Sequence, residues 1–149
     1  MKRTADGLWI PALPNWFPYN ELLLSGKLSA KTREWRWGHT GPTLLYTSVG
    51  TADEVARAHK LDPKEFPRRV LVGIGDLVPV RVLTEAEVRQ IEREFGNGRR
   101  LASVWAGVYR YEFRNLRRFA KPIPFTPPRG AVRTFRVPTS VVASAFRSS

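Results

Sequence analysis

The sequence predicts an α+β fold, a small mixed β-barrel of five or six strands with about three helices. Three features carry this. Stretches with a two-residue hydrophobic period mix with helix-period stretches without strict alternation, which argues against a doubly wound parallel sheet. The most apolar run, Val70 to Val82, is interrupted by Gly73 and Gly75. A long strand bent at glycine is what a small barrel needs to turn a corner. At 149 residues and without a cysteine, the chain is long enough to bury one core unaided by disulfides.

Residues 1–12 read as a leader, with Leu8-Trp9-Ile10 a short strand stopped by Pro11 and Pro14. The domain proper is expected over 13–138. Pro18 suits a first helical turn, Tyr19, Leu22 and Leu23 share one face, and Gly26 supplies a left-handed C-cap. From Lys31 the period changes to two. Lys31, Arg33, Trp35 and Trp37 then share one strand face, with Thr32, Glu34 and Arg36 on the other. Gly38 to Pro42 is a turn into a second strand, TLLYTS. Thr51-Ala52-Asp53-Glu54 reads as a capping box opening a helix that Lys60 closes.

Asp62 to Pro67 is a polar crossover with one further helical turn, before the long Val70–Val82 strand. Thr84 and Glu87 form a second capping box, with Val88, Ile91 and Phe95 at helical spacing and Gly96-Asn97-Gly98 as the stop. Tyr109, Tyr111 and Phe113 alternate with Arg110, Glu112 and Arg114 on a later strand. Lys121 to Pro128 reads as an extended loop, Ala131 to Val137 as a last strand, and 139–149 as a basic, Ser-rich tail, mobile or loosely helical.

Charge is the strongest compositional signal, at net +12. Residues 1–95 hold 14 Lys/Arg and 12 Asp/Glu, whereas residues 96–149 hold 11 Lys/Arg and a single acid, Glu112. Ten of those 11 cations are arginines, whose planar fork suits phosphate and whose face stacks on bases. A polyanionic partner follows, RNA first and DNA second. The Lys31–Trp37 face is either a stacking and phosphate-binding surface or core indoles with cations at the rim. Gly96-Asn97-Gly98 beside Arg99 and Arg100 is either an anion nest or simply a helix stop. The cations expected at a nucleic-acid surface are Lys27, Lys31, Arg33, Arg99, Arg100, Arg110, Arg114, Arg117 and Arg118, with Trp35 and Trp37 as stacking partners.

Other chemistries lack support. His39 and His59 are the only histidines and neither has ligand-spaced carboxylates, so no metal is expected. Gly73-Ile74-Gly75 lacks a dinucleotide fingerprint, and no cofactor is expected. No apolar run approaches the about 18 residues that span a bilayer. The expectation is a cytoplasmic monomer.

Several segments together resemble the ASCH domain of the PUA-like superfamily, related to EVE and YTH domains. They are the helix ending in Gly26, the cations after it, HTGPTLLYTS, VLVGIGDLVPV, YRYEFRN and a closing Gly-x-x-x-x-F-x-V-P. The likeness covers roughly Leu13 to Pro138. In the family motif Gly-x-Lys-x-x-Glu-x-Arg, Gly26 and Arg33 match, while Leu28 stands at the Lys position and Lys31 at the Glu position. Gly41 matches the Gly of a family Arg-Gly pair whose Arg is Thr40 here. The resemblance implies a PUA-like barrel, with the motif strand and first helix flanking a ligand cleft and Arg33 at that cleft. Relatives of the EVE and YTH type accept a modified base there.

Some ASCH relatives are amidohydrolases on acetylated cytidine and others ribonucleases. The amidohydrolase type resembles a Lys-x-x-Thr arrangement, whose positions here are Leu28 and Lys31. That departure favours an RNA-binding module over an enzyme. The alternative is a hydrolase of RNA or modified nucleosides, with Lys27, Lys31, Arg33, Glu34 or His39 as candidate groups.

Overall fold

The computed structural model describes residues 2–4, 7–95, 109–131 and 133–147. In chain order the elements are β1 (Lys2–Thr4), β2 (Gly7–Phe17), α1 (Tyr19–Leu24), β3 (Ala30–Arg33), β4 (Gly41–Thr51) and α2 (Asp53–Ala58). A 3-10 turn (Pro63–Glu65), β5 (Val70–Leu77), β6 (Arg81–Val82), α3 (Glu85–Phe95), β7 (Tyr109–Pro124), β8 (Phe135–Pro138) and α4 (Thr139–Arg147) follow. The strand order is β1-β2-β4-β5-β7-β3, with β8 added to β2 and β6 to β7. Among the described strands, only β2 and β4 run parallel.

The α+β class holds, but the described residues form eight strands and four α-helices, more than expected. The sheet does not close into a barrel. Closure needs a backbone ladder between the two ends of the strand path, and among the described residues β3 pairs only with β7. What returns from β3 to β2 is a side chain, Arg33, which donates to the Pro14 carbonyl and to Asn15 Oδ1.

Strand β4 lies between β2 and β5, and Thr43 to Thr47 are all buried because both of its faces are covered. One face packs Leu13, Leu45, Val70, Val72, Tyr111 and Phe113 against Leu22 and Leu23 of α1. The other packs Ile10, Leu44, Tyr46, Leu71, Phe135 and Val137 against Val142 of α4. Each large apolar side chain so buried contributes about 1.5–3 kcal/mol.

Four local expectations are corrected. Strand β2 runs through both prolines, because Pro11 pairs only with β8 and Pro14 only with β4, so each has one side without a ladder. Strand β3 ends at Arg33, before Trp35 and Trp37. The Thr51 capping box does not form: Thr51 is still paired in β4 opposite Phe17, and α2 starts from Ala52, held by its N–H on the Phe17 carbonyl at 2.8 Å. Strand β7 extends to Pro124, absorbing the start of the expected loop, because β5 pairs with it as far as Pro124.

Other local readings match. Gly26 takes φ +78°, and the Lys27 N–H closes α1 on the Leu22 carbonyl at 2.9 Å. Thr84 and Glu87 cap α3 reciprocally at 2.9 and 3.2 Å. In place of the mobile or loosely helical tail expected over 139–149, Thr139–Arg147 form a helix whose Val142 is fully buried in the core.

Candidate nucleic-acid interface

A cavity of about 520 Å³ opens where β2, α1, β3 and β4 meet. It is lined by Pro14, Asn15 and Trp16 of β2, Tyr19 of α1, Lys31 and Arg33 of β3, and Tyr46 and Ser48 of β4. Ala52, Pro127, Ala131 and Phe135 complete it. Its size falls within the ~300–1,000 Å³ typical of small-ligand sites.

The open sheet explains why the cavity is here. Beyond Ala12, β2 has a ladder on the β4 side alone, and Arg33 spans the other side. A buried polar chain fixes that guanidinium. Asn15 Nδ2 donates to Asn20 Oδ1 at 2.7 Å, and Asn20 Nδ2 donates to Thr47 Oγ1 at 3.1 Å. Asn15, Asn20 and Thr47 are all buried, so each bond is sheltered from competing water. Burial pushes the Arg33 guanidinium down to about 10, which leaves it cationic at neutral pH, and its Nε is buried without a hydrogen-bond partner.

Lys31 lies two residues before Arg33 on the same strand face. Its ammonium sits 4.3 Å from the Tyr19 ring centroid and donates to the Thr32 carbonyl at 3.1 Å. Burial, then the Arg33 charge, push it down to about 7. Lys31 therefore exchanges its proton near neutrality. No carboxylate lines the cavity among the described residues.

At the rim, Trp16 is 57% exposed. Its indole lies against Gly50, where an added Cβ would overlap the ring, so the backbone forms a floor under one aromatic face.

Of the residues expected from sequence, the structure brings Lys31 and Arg33 to this cavity. Trp35 and Trp37 do not line it. Trp35 packs edge-on to Tyr111 at 5.5 Å, and its carbonyl accepts from the Tyr111 hydroxyl at 2.7 Å. Burial pushes that hydroxyl up to about 12. Trp37 packs on Trp35 and on buried His39. Lys27 is exposed on the turn after α1.

On β7, Arg110 is held by Glu87 and Glu112 at 3.4 and 3.3 Å. Arg114, Arg117 and Arg118 are exposed, with Arg118 paired to Glu21 at 2.8 Å and Arg114 to Glu112 at 3.9 Å. Arg99 and Arg100, with the glycine-rich stop beside them, lie outside the described residues. The sequence reading missed Asn15, Trp16, Tyr19 and Ser48 as cavity residues. Asn15 carried the one available signal, a polar side chain inside an apolar stretch.

Among the described residues no group of three metal-ligating side chains occurs, and no helix is long and apolar enough to cross a membrane.

No protein-family model matches the sequence, and no curated protein matches it. Solved structures do. The crystal structure of ASCH from Zymomonas mobilis is 12% identical with a TM-score of 0.56, covering 93% of this chain and 93% of that one. A Tyr-to-Phe mutant of the same protein is 11% identical with a TM-score of 0.56, over 92% and 96% of the two chains. A Ser-to-Ala mutant is 12% identical with a TM-score of 0.55, over 93% and 94%. The shared architecture spans nearly the whole of both chains, so this chain is built on the ASCH-domain fold.

Proposed function

We propose that this protein is an RNA-binding module of the ASCH, PUA-like type, and that the cavity accepts one unpaired nucleotide. One observation supports this above the rest: among the described residues two cations, Lys31 and Arg33, and no carboxylate line the cavity, with an exposed indole at its rim. Unstacked bases are commonly bound on aromatic faces with Arg or Lys on the phosphates. Arg114 and Arg117 supply further phosphate contacts outside the cavity. The net charge of +12 draws the polyanion in at long range.

The test is titration of a short single-stranded RNA with the full chain at several salt concentrations. We expect log affinity to fall linearly with log salt, by roughly 0.7 per phosphate contact. Trp16→Ala is expected to weaken binding by ~1–3 kcal/mol. Absence of RNA binding at low salt, or unchanged binding by Trp16→Ala, would remove this reading.

A hydrolytic reading has one observation in its favour. An amine with a pKa of about 7 is available as a base or nucleophile at neutral pH. We expect binding without turnover. Cleavage of RNA, or of the acetyl group from acetylcytidine, that is lost in Lys31→Ala would put the enzyme in place of the binder.

A further inference from the structure

We infer that the group held at the bottom of this cavity is the phosphomonoester of a terminal nucleotide, placed between Lys31 and Arg33 with its base on Trp16. The inference rests on the reading that the cavity takes a nucleotide, and it names which nucleotide. An internal phosphodiester carries one negative charge, whereas a phosphomonoester carries about −1.5 to −2 at neutral pH and offers three acceptor oxygens. Among the described residues the cavity offers two cationic side chains and no carboxylate, so a dianion fits the full charge of that lining.

The donors are also underused. Arg33 spends Nη2 on Pro14 and Asn15, while its Nε is buried with no hydrogen-bond partner. The Lys31 ammonium has three protons and donates one bond, to the Thr32 carbonyl. Ser48 adds a hydroxyl on the β4 wall.

Lys31 couples this site to pH. The groups that face it are Arg33 on its own strand, Tyr19 from α1, Tyr111 opposite it on β7, and Tyr46 across the cavity from β4. Glu112 and Arg110, which flank Tyr111 on β7, pair with each other. Without ligand, Lys31 loses its proton near pH 7. A dianion beside it favours the charged amine, so binding above that pH takes up a proton. Below about 6 the ligand itself loses its second charge. Affinity is therefore greatest between about 6 and 7 and falls by up to tenfold per pH unit above that.

The experiment is calorimetric titration of the full chain with one short RNA carrying a 5′-phosphate, a 3′-phosphate or hydroxyls at both ends, and with nucleoside monophosphates. We expect one phosphorylated end to bind at least tenfold more tightly than the hydroxyl strand at pH 7. Proton uptake should appear as a binding enthalpy that depends on the buffer at pH 8. Lys31→Met should bring the phosphorylated strand down to the affinity of the unphosphorylated one. Lys31→Arg should keep the preference and lose the proton uptake. Equal affinity for all three strands would overturn the inference and leave RNA binding standing. Binding of monophosphates without binding of any strand would overturn RNA binding and the strand end with it, and leave a site for a free mononucleotide. Failure of both would end both readings.

Discussion

Replacing Lys31 by methionine should stabilise the fold at neutral pH, and the gain should vanish in alkali. Methionine keeps the length of the stem over Tyr19 and removes only the charge. In the folded protein the amine is brought from 10.5 to about 7, chiefly by burial. In the unfolded chain it keeps its ordinary value. Between those two values the unfolded chain binds a proton that the folded one does not, so stability rises with pH by about 1.4 kcal/mol per unit. The contribution is complete above 10.5, is lost as pH falls to about 7, and is flat below.

The full displacement corresponds to about 4 kcal/mol at pH 7, and solvent reaching the partly exposed side chain reduces this to about 2–4. Urea unfolding of the natural protein and of Lys31→Met, every pH unit from 6 to 10, isolates the effect. Titration of Tyr46 and Tyr111 is common to both proteins and cancels in the difference. We expect the variant to be more stable by about 2–4 kcal/mol at pH 7 and by under about 1 kcal/mol at pH 10. A difference that does not change with pH would show that the amine is not desolvated.

Asn20→Ala should cost about 2–4 kcal/mol in urea unfolding, because it leaves Asn15 Nδ2 and Thr47 Oγ1 buried without partners, and it should weaken RNA binding by loosening Arg33. Trp35→Ala should cost about 3 kcal/mol, since the indole packs on Tyr111 and the core, whereas exposed Trp16→Ala should leave the melting temperature nearly unchanged; thermal unfolding that ranks them the other way refutes the assignment of platform and core. Glu87 is held down at about 2 by the Arg81 and Thr84 hydrogen bonds, so it stabilises the fold above about 4.5, and that support is lost as pH falls towards 2. Glu87→Gln should therefore be less stable at pH 7 by about 1 kcal/mol and no less stable at pH 2, with Arg81 half exposed and the pair screened accordingly.

By itself the sequence determined what depends on near neighbours along the chain. The α+β class, the Gly26 stop after α1 and the Thr84–Glu87 capping box are all local, since period, φ freedom and a three-residue hydrogen-bond reach are written within a few residues. Net charge is also additive over the chain, so the expectation of a polyanionic partner needs no fold. The β3 cations Lys31 and Arg33 were legible as a pair because a two-residue period puts them on one side.

What only the tertiary structure decided depends on which strand lies beside which. Whether Pro11 and Pro14 break a strand turns on whether the missing N–H had a partner to lose, and the residues opposite them, Arg136 and Tyr46, are 125 and 32 residues away in sequence. The same holds for the site. Trp35 was drawn from the cavity to the core by Tyr111, which β7 brings opposite β3, while Trp16 was left at the rim by Gly50 of the paired β4. Closure failed for a reason no periodicity encodes. Arg33 fills the gap that a further ladder would occupy, and a desolvated guanidinium bridging two strands leaves beside it the hollow in which Lys31 loses its proton.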